Sequence, residues 1–201
     1  MSAITYKIGN SLYLNITNQC TNRCGFCIRY KTKLFNSEHE LWLQKEPTAQ
    51  QVIDAIGDPA KYKEVVFCGY GEPLIRLDVV KEVSKWLKSQ GAKVRIDTNG
   101  QGNLINKRNI LPELEGLVDS ISISLNAQDR KVYNEICRSD FGEAAFDAII
   151  EFAKGSKKYI PHVELTAVGI PEIDIKGTKR IADELGVAFR VRTYYEQDYI
   201  K

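Results

Sequence analysis

The chain has 201 residues, 43% of them hydrophobic, which suits one ordinary buried core and suggests one domain, or at most a domain with a small appendage. Its 28 Lys and Arg against 26 Asp and Glu leave a net charge of +2, which argues against a general nucleic-acid binder, since that would carry a basic stripe. No apolar run approaches the ~18 residues of a membrane helix, and residues 1–10 lack the basic segment and apolar core of a signal peptide, so a cytoplasmic protein is expected, with no membrane partner and with its thiols reduced.

In chain order, residues 11–17 (SLYLNIT) are the first predicted strand, a short apolar, β-branched run that leads straight into a group of cysteines. Thr48 is an expected N-cap for a helix over 49–58, with Val52, Ile53 and Ile56 on one face. Residues 64–68 (EVVFC) form a second strand ended by GYGEP, and 78–90 a helix whose Val79, Val80, Val83, Trp86 and Leu87 share a face and which stops at Gly91. A third strand over 93–97 (KVRID) ends in TNGQG and precedes a short helix over 106–117. The fourth strand, 120–125 (SISISL), ends in NAQD, and helices over 130–137 and 141–154 follow it. A fifth strand, 162–168 (HVELTAV), a helix over 174–185 stopped by Gly186, and a sixth strand, 188–193 (AFRVRT), complete the pattern.

Strands alternating with helices predict an α/β fold with a parallel sheet, as a single domain over residues 1–201. Six units are too few to close an eight-unit barrel, so an open, partial (β/α)6 TIM-like barrel is expected. Chemistry in such folds lies on the loops beyond the C-terminal strand ends. The cysteines, GYGEP, DTNG and SLN all fall there.

Five cysteines in a reducing compartment point to metal or catalysis, and three of them lie within eight residues as Cys20-x-x-x-Cys24-x-x-Cys27. Three thiolates on one loop can ligate three irons of a [4Fe–4S] cluster and leave the fourth iron open to a ligand. Two alternatives stand beside this: a zinc site, which wants a fourth ligand such as His39, and buried structural cysteines. Cys68 and Cys137 are expected to be structural, and His39 and His162 ordinary surface or rim residues. Arg190, Arg192 and Tyr194 share one face of the last strand, with Tyr195 beside them, and inward-pointing arginines suit an anionic substrate.

C-x-x-x-C-x-aromatic-C directly after the first strand resembles the signature of the radical S-adenosylmethionine (SAM) superfamily, and the resemblance extends over nearly the whole chain. It implies a cluster whose open iron binds the amino and carboxylate groups of SAM, and reductive cleavage of SAM to a 5′-deoxyadenosyl radical. It places Phe26 near the adenine. It gives Gly69, Tyr70, Gly71 and Glu72 of GYGEP, similar to a GGEP motif, contacts to the SAM amino group. Ser124 and Asn126 then correspond to the ribose and carboxylate position, and Gly169, between Val168 and Ile170, to the adenine cradle. Asp97 and Asn99 belong to DTNG, a string shared with glycyl-radical activases, which gives them a SAM or substrate role. An external electron donor of flavodoxin or ferredoxin type is implied as well.

The strings LNITNQCTNRCGFCIR, FCGYGEP and SISLNAQD look most like the small TatD-associated radical SAM subgroup, whose neighbourhood includes queuosine-salvage lyases that release queuine. That likeness implies a nucleoside or nucleotide substrate, queuosine or its 5′-phosphate, and with only five cysteines no auxiliary cluster domain is expected. A glycyl-radical activase, a non-enzymatic iron–sulfur carrier and a zinc module are the competing readings. Residues 28–46 have no assigned role and are expected to fold over the site.

Overall fold

The computed structural model describes residues 3–32, 34–35 and 38–194; Tyr195 lies outside the described residues. Strands β1 (Thr5–Ile8) and β2 (Ser11–Leu14) form an antiparallel hairpin across Gly9 and Asn10. The sequence pattern of six strands had left β1 out, so the main sheet has seven. A two-residue Gly-Asn turn between apolar runs is the signal for it, and Gly9 adopts φ +56°, which glycine reaches without strain. Strands β3 (Leu34–Phe35) and β4 (His39–Glu40) form a separate small hairpin within residues 28–46.

Helix α1 (Ala49–Ile56) starts at Thr48 in a capping box with Gln51. Then come β5 (Glu64–Phe67), α2 (Leu77–Ser89), β6 (Val94–Thr98), α3 (Gly102–Asn106), β7 (Ser120–Ser124), α4 (Arg130–Cys137), α5 (Ala144–Ser156), β8 (His162–Val168), α6 (Ile175–Leu185) and β9 (Ala188–Arg192). The sheet order β1-β2-β5-β6-β7-β8-β9 is parallel from β2 onward, the expected partial (β/α)6 barrel with an antiparallel edge strand added. Instead of one helix over 106–117 there are α3 and a separate 3-10 turn at Leu111–Leu114. Lys107 in the left-handed region (φ 54°) ends the first, and Pro112 starts the second. The helix expected over 141–154 begins later, after the turn at Gly142 (φ 57°), and runs to Ser156.

Residues alternate along the parallel strands. Val65, Phe67, Val94, Ile96, Ile121, Ile123 and Leu165 point at the helices and belong to one buried core with Val83, Leu87, Ile149 and Phe152. The opposite face carries Arg95, Asp97, Ser120, Ser122, Glu164, Arg190 and Arg192, which line a cavity of about 1010 Å³ on the concave side. No helix among the described residues is long and apolar enough to cross a membrane.

This two-faced packing gives a direct expectation. Ile121→Ala, at a fully buried position, should destabilise the protein by about 2–5 kcal/mol in urea unfolding, whereas Ser120→Ala, its neighbour on the lumen face, should stay within about 0.5 kcal/mol.

Candidate functional site

Strand β2 ends at Leu14, and the chain turns through Asn15, Ile16 and Thr17 into the cysteine loop. Asn15 is buried; its Nδ2 donates to Ala3 O and Leu41 O, and its Oδ1 accepts from Tyr70 N, so one amide joins the N-terminal hairpin, residues 28–46 and GYGEP. Gly69 and Gly71 sit against this turn. Neither has a positive φ; a Cβ on Gly69 would lie 2.2 Å from Asn15 Oδ1, and one on Gly71 2.4 Å from Thr17 O. Their smallness is therefore required by the cysteine loop packed on them.

Cys20, Cys24 and Cys27 are half-buried, none is in a disulfide, and Cys27 faces the cavity with Phe26. The loop is held from two sides. On one, α4 presents its last carbonyls: Arg23 N donates to Cys137 O (2.9 Å) and Gly25 N to Ile136 O (3.0 Å). The Cys137 thiol, fully buried, donates to the Cys24 sulfur and so holds the Cys24 thiol below its ordinary pKa. On the other side stands Gln101, fully buried, with both ends of its amide in use. Its Oε1 accepts from Thr21 Oγ1 (2.7 Å) and Ser139 Oγ (3.1 Å); its Nε2 donates to Asn22 Oδ1 and the Tyr133 hydroxyl, both at 2.8 Å.

Glu72 is 2% exposed and its carboxylate already receives three donors: Leu74 N (3.0 Å), Thr98 Oγ1 (2.8 Å) and Asn99 N (2.6 Å). It clasps GYGEP to DTNG. Burial pushes it up to about 7 against these three hydrogen bonds. Asn99 in turn donates through Nδ2 to Thr21 Oγ1 (2.9 Å) and sits 4.0 Å from Cys20 Sγ, so DTNG braces the cysteine loop. Burial drives the Cys20 thiol to about 12 and raises Cys27 as well, so cluster uptake must displace their protons.

Asp97, the other DTNG residue, faces the lumen. Its Oδ1 accepts from Arg95 Nη1 (2.6 Å), and burial raises its pKa despite that partner. Arg95 also pairs with Glu64 (3.3 Å) and donates to the Tyr13 hydroxyl (3.1 Å). Ser122 donates to Glu164, which pairs with Arg190 at 2.7 Å. Although burial opposes it, this pairing holds the Glu164 carboxyl below the usual value. Arg190, expected free for a substrate anion, is thus already neutralised by a carboxylate.

Arg192 is different. One terminal nitrogen donates to Ser124 Oγ (3.2 Å) and Asn126 Oδ1 (3.3 Å), its buried Nε has no hydrogen-bond partner, and no carboxylate lies within ion-pair distance among the described residues. Burial lowers its pKa from the ordinary arginine value. Asn126, at φ 53°, also accepts from Val168 N and so fixes the end of β8. Gly169 N bonds Arg192 O, and Tyr194 lines the cavity mouth. Tyr70 is buried, its hydroxyl donating to Thr32 O, it clusters with Tyr6, Leu41 and Phe35, and of residues 28–46 Ile28, Lys31, Phe35 and Leu41 line the cavity.

Cys68 also lines the cavity and is pushed to about 12 by burial. His39 packs on the Tyr6 ring (6.0 Å between centroids), and no group of three His, Cys, Asp or Glu converges on a single ion among the described residues. Three free thiols on one loop are the donor set that a [4Fe–4S] cluster with one open iron takes, and a closed zinc site would need a fourth ligand. Sequence reasoning missed Gln101, Arg95 and Glu164. Only for the last two was there a signal, the alternation R-x-D, S-x-S-x-S, H-x-E and R-x-R in parallel strands.

The sequence profile of the Radical SAM superfamily matches residues 14–185. Uncharacterized protein MJ0804 of Methanocaldococcus jannaschii is 31% identical over 130 residues, 64% of this chain and 43% of that protein. MJ1227 of the same organism, provisionally named as a glycyl-radical enzyme activating enzyme, is 25% identical over 194 residues, 90% of this chain and 74% of that protein. Among solved structures, Streptococcus suis SuiB bound to S-adenosylmethionine superposes with a TM-score of 0.71 at 21% identity, over 96% of this chain and 42% of SuiB. The chain thus spans less than half the length of two of these three proteins.

Two expectations follow from the geometry. Gln101→Leu removes four hydrogen bonds, to the buried Asn22, Tyr133 and Ser139 and the half-buried Thr21, at about 1–3 kcal/mol for each buried group left unpaired, so it should lower both urea stability and iron per chain after anaerobic reconstitution, although it touches no sulfur; Cys20→Ala, Cys24→Ala and Cys27→Ala should each abolish iron uptake while Cys68→Ala keeps it. Glu72 titrates near pH 7 when folded and near about 4.3 when unfolded. Between those values the folded chain keeps a proton that the unfolded chain has lost, so stability should fall as pH rises through this window and level off above it. Urea unfolding of apo-protein across pH 4.5 to 8 should find this part of the slope missing in Glu72→Gln.

Proposed function

This chain belongs to the radical SAM superfamily, and from that premise we propose that it holds a [4Fe–4S] cluster on Cys20, Cys24 and Cys27 and works on an anionic nucleotide in the lumen below. Enzymes of the family use a [4Fe–4S] cluster and S-adenosylmethionine, with external electron donors. The observation that carries the substrate class is Arg192, a half-buried guanidinium in a polar lumen whose hydrogen-bond partners among the described residues are neutral. When bound, the cluster and SAM supply reductive carbon–sulfur cleavage to a 5′-deoxyadenosyl radical.

The residues of the chain then divide the work. Phe26 and the backbone at Gly69 and Tyr70 line the cavity in which SAM would lie, Ser124 and Asn126 join it through Arg192, and the family likeness adds Gly71 and Gly169 to the SAM contacts. Glu72 and Asn99 serve the site by holding the cysteine loop. Arg192 grips the substrate anion through a planar fork, as phosphate recognition favours. Asp97 and Glu164 offer acceptors to a base edge rich in N–H donors. The specific substrate we propose is queuosine or its 5′-phosphate: a hydrogen atom passes from its sugar to the 5′ carbon, giving 5′-deoxyadenosine and a ribosyl radical, the glycosidic carbon–nitrogen bond then breaks to leave an unsaturated sugar, and the base takes up one electron from the external donor and one proton from solvent to leave as queuine. The protein's contribution is to place one substrate C–H against the 5′ carbon and to exclude water.

The similarity to MJ1227 favours a second reading, in which the hydrogen comes from a glycine of a partner enzyme. Reduced, cluster-loaded protein incubated with SAM and queuosine or its monophosphate should release queuine, read by mass spectrometry. Arg192→Lys should raise KM for the monophosphate more than for the nucleoside, since only the former offers phosphate to the fork. Substrate-stimulated 5′-deoxyadenosine without queuine would exclude the lyase, and failure of both compounds to bind would leave the protein-substrate reading.

A further inference from the structure

Arg29 lies two residues beyond Cys27, at the end of the cysteine string, and has been given no role in the site so far. Its side chain turns back across the cysteine loop. Nη1 donates to Asn18 O (3.1 Å) and Nη2 to Asn22 O (3.3 Å), the carbonyls two residues before and two residues after Cys20. Nη2 also meets the Tyr30 hydroxyl, and the guanidinium carbon lies 4.7 Å from the Tyr30 ring centre. Nε is buried without a hydrogen-bond partner among the described residues. One side chain thus closes the loop from 18 to 29, which carries all three cysteines, and its two carbonyl bonds hold its positive charge across the turn that carries Cys20.

An ordinary surface arginine does neither. It extends into water, and its charge is screened. Here a planar fork bridges two backbone carbonyls, a geometry that the single ammonium of lysine cannot match. The fixed cation stands beside sulfurs that become thiolates on ligation and over which each added electron spreads more negative charge. Among the levers that set an iron–sulfur potential, nearby charge and hydrogen bonding are the two this residue supplies.

We propose that Arg29 is a positioning residue with two separable duties: its fork buckles the cysteine loop into the shape that retains the cluster, and its charge raises the cluster's reduction potential so that an external donor can reduce it. This rests on the assignment of a [4Fe–4S] cluster to Cys20, Cys24 and Cys27. The test compares full-length wild type with Arg29→Gln and Arg29→Lys after anaerobic reconstitution. It reads iron per chain after gel filtration, the midpoint potential by EPR-monitored redox titration, and the melting temperature of the apo-protein. The glutamine variant, which has no charge, should shift the midpoint to more negative potential and lose iron. The lysine variant keeps the charge and loses the fork; it should retain a near-wild-type midpoint while holding less iron.

A glutamine variant with wild-type iron content and midpoint would overturn the proposal. If it holds too little iron to titrate, the lysine variant decides: a wild-type midpoint supports the charge role, and a negative shift there overturns it. Equal iron loss in both variants together with a lowered apo-protein melting temperature also overturns it, because Arg29 would then serve only the fold. Wild-type chain that takes up no iron at all is a different result, the failure of the cluster assignment itself, recognisable because no variant then differs from it in iron content.

Discussion

The site depends on a buried hydrogen-bond web that converts three strand ends and one helix end into a single rigid support. Gln101 is its centre: one amide meets Thr21 and Asn22 of the cysteine loop and Tyr133 and Ser139 around the end of α4. Glu72 extends the web to GYGEP by accepting from Thr98 and Asn99. Such a network stabilises only if every member is satisfied, since a single unpaired group in a low-dielectric interior costs more than its bond contributes. The amide of Gln101 meets that condition at both ends. The consequence is a cysteine loop braced by its own protein contacts, an arrangement that would lower the ordering cost of binding a cluster there.

Beneath the support, the sheet departs from the usual parallel pattern in which both faces are apolar. One face packs on helices, and the other carries Glu64, Arg95, Asp97, Ser122, Glu164, Arg190 and Arg192 around a cavity. Charges in such a place persist by pairing: Arg95 with Glu64 and Asp97, Arg190 with Glu164. Arg192 breaks the pattern. Its hydrogen bonds go to the neutral Ser124 and Asn126, and the Asp97 carboxylate, whose charge reaches it, makes no ion pair with it among the described residues, so an entering anion would be its direct charged partner. The same three residues join the expected SAM pocket to the lumen, so cofactor and substrate would meet through one hydrogen-bonded group.

Motif residues do not all act by touching a ligand. Gly69 and Gly71 are small because Asn15 and Thr17 occupy the space a Cβ would need, so these glycines define how closely GYGEP approaches the cysteine loop. The turn-favouring Asn99 likewise braces Thr21 and Cys20. A motif loop in this fold is thus partly a description of how neighbouring loops pack.

The sequence by itself determined the alternation of strands and helices, the open parallel barrel, and the placement of the cysteines, GYGEP, DTNG and SLN on one rim, because hydrophobic periodicity and strand-end loops are local properties of the chain. It also placed Arg190, Arg192 and Tyr194 on one face, since that follows from the period of two. The tertiary structure alone decided which arginine is neutralised. Arg190 and Arg192 are equivalent in the pattern, but Glu164 stands 26 residues away in sequence and beside only one of them. It likewise decided that Glu72 is spent on Thr98 and Asn99, and that Gln101, an unremarkable letter after DTNG, lies at the centre of the web. Partners in a buried network are chosen by strand register and loop packing, long-range facts that no local spacing carries.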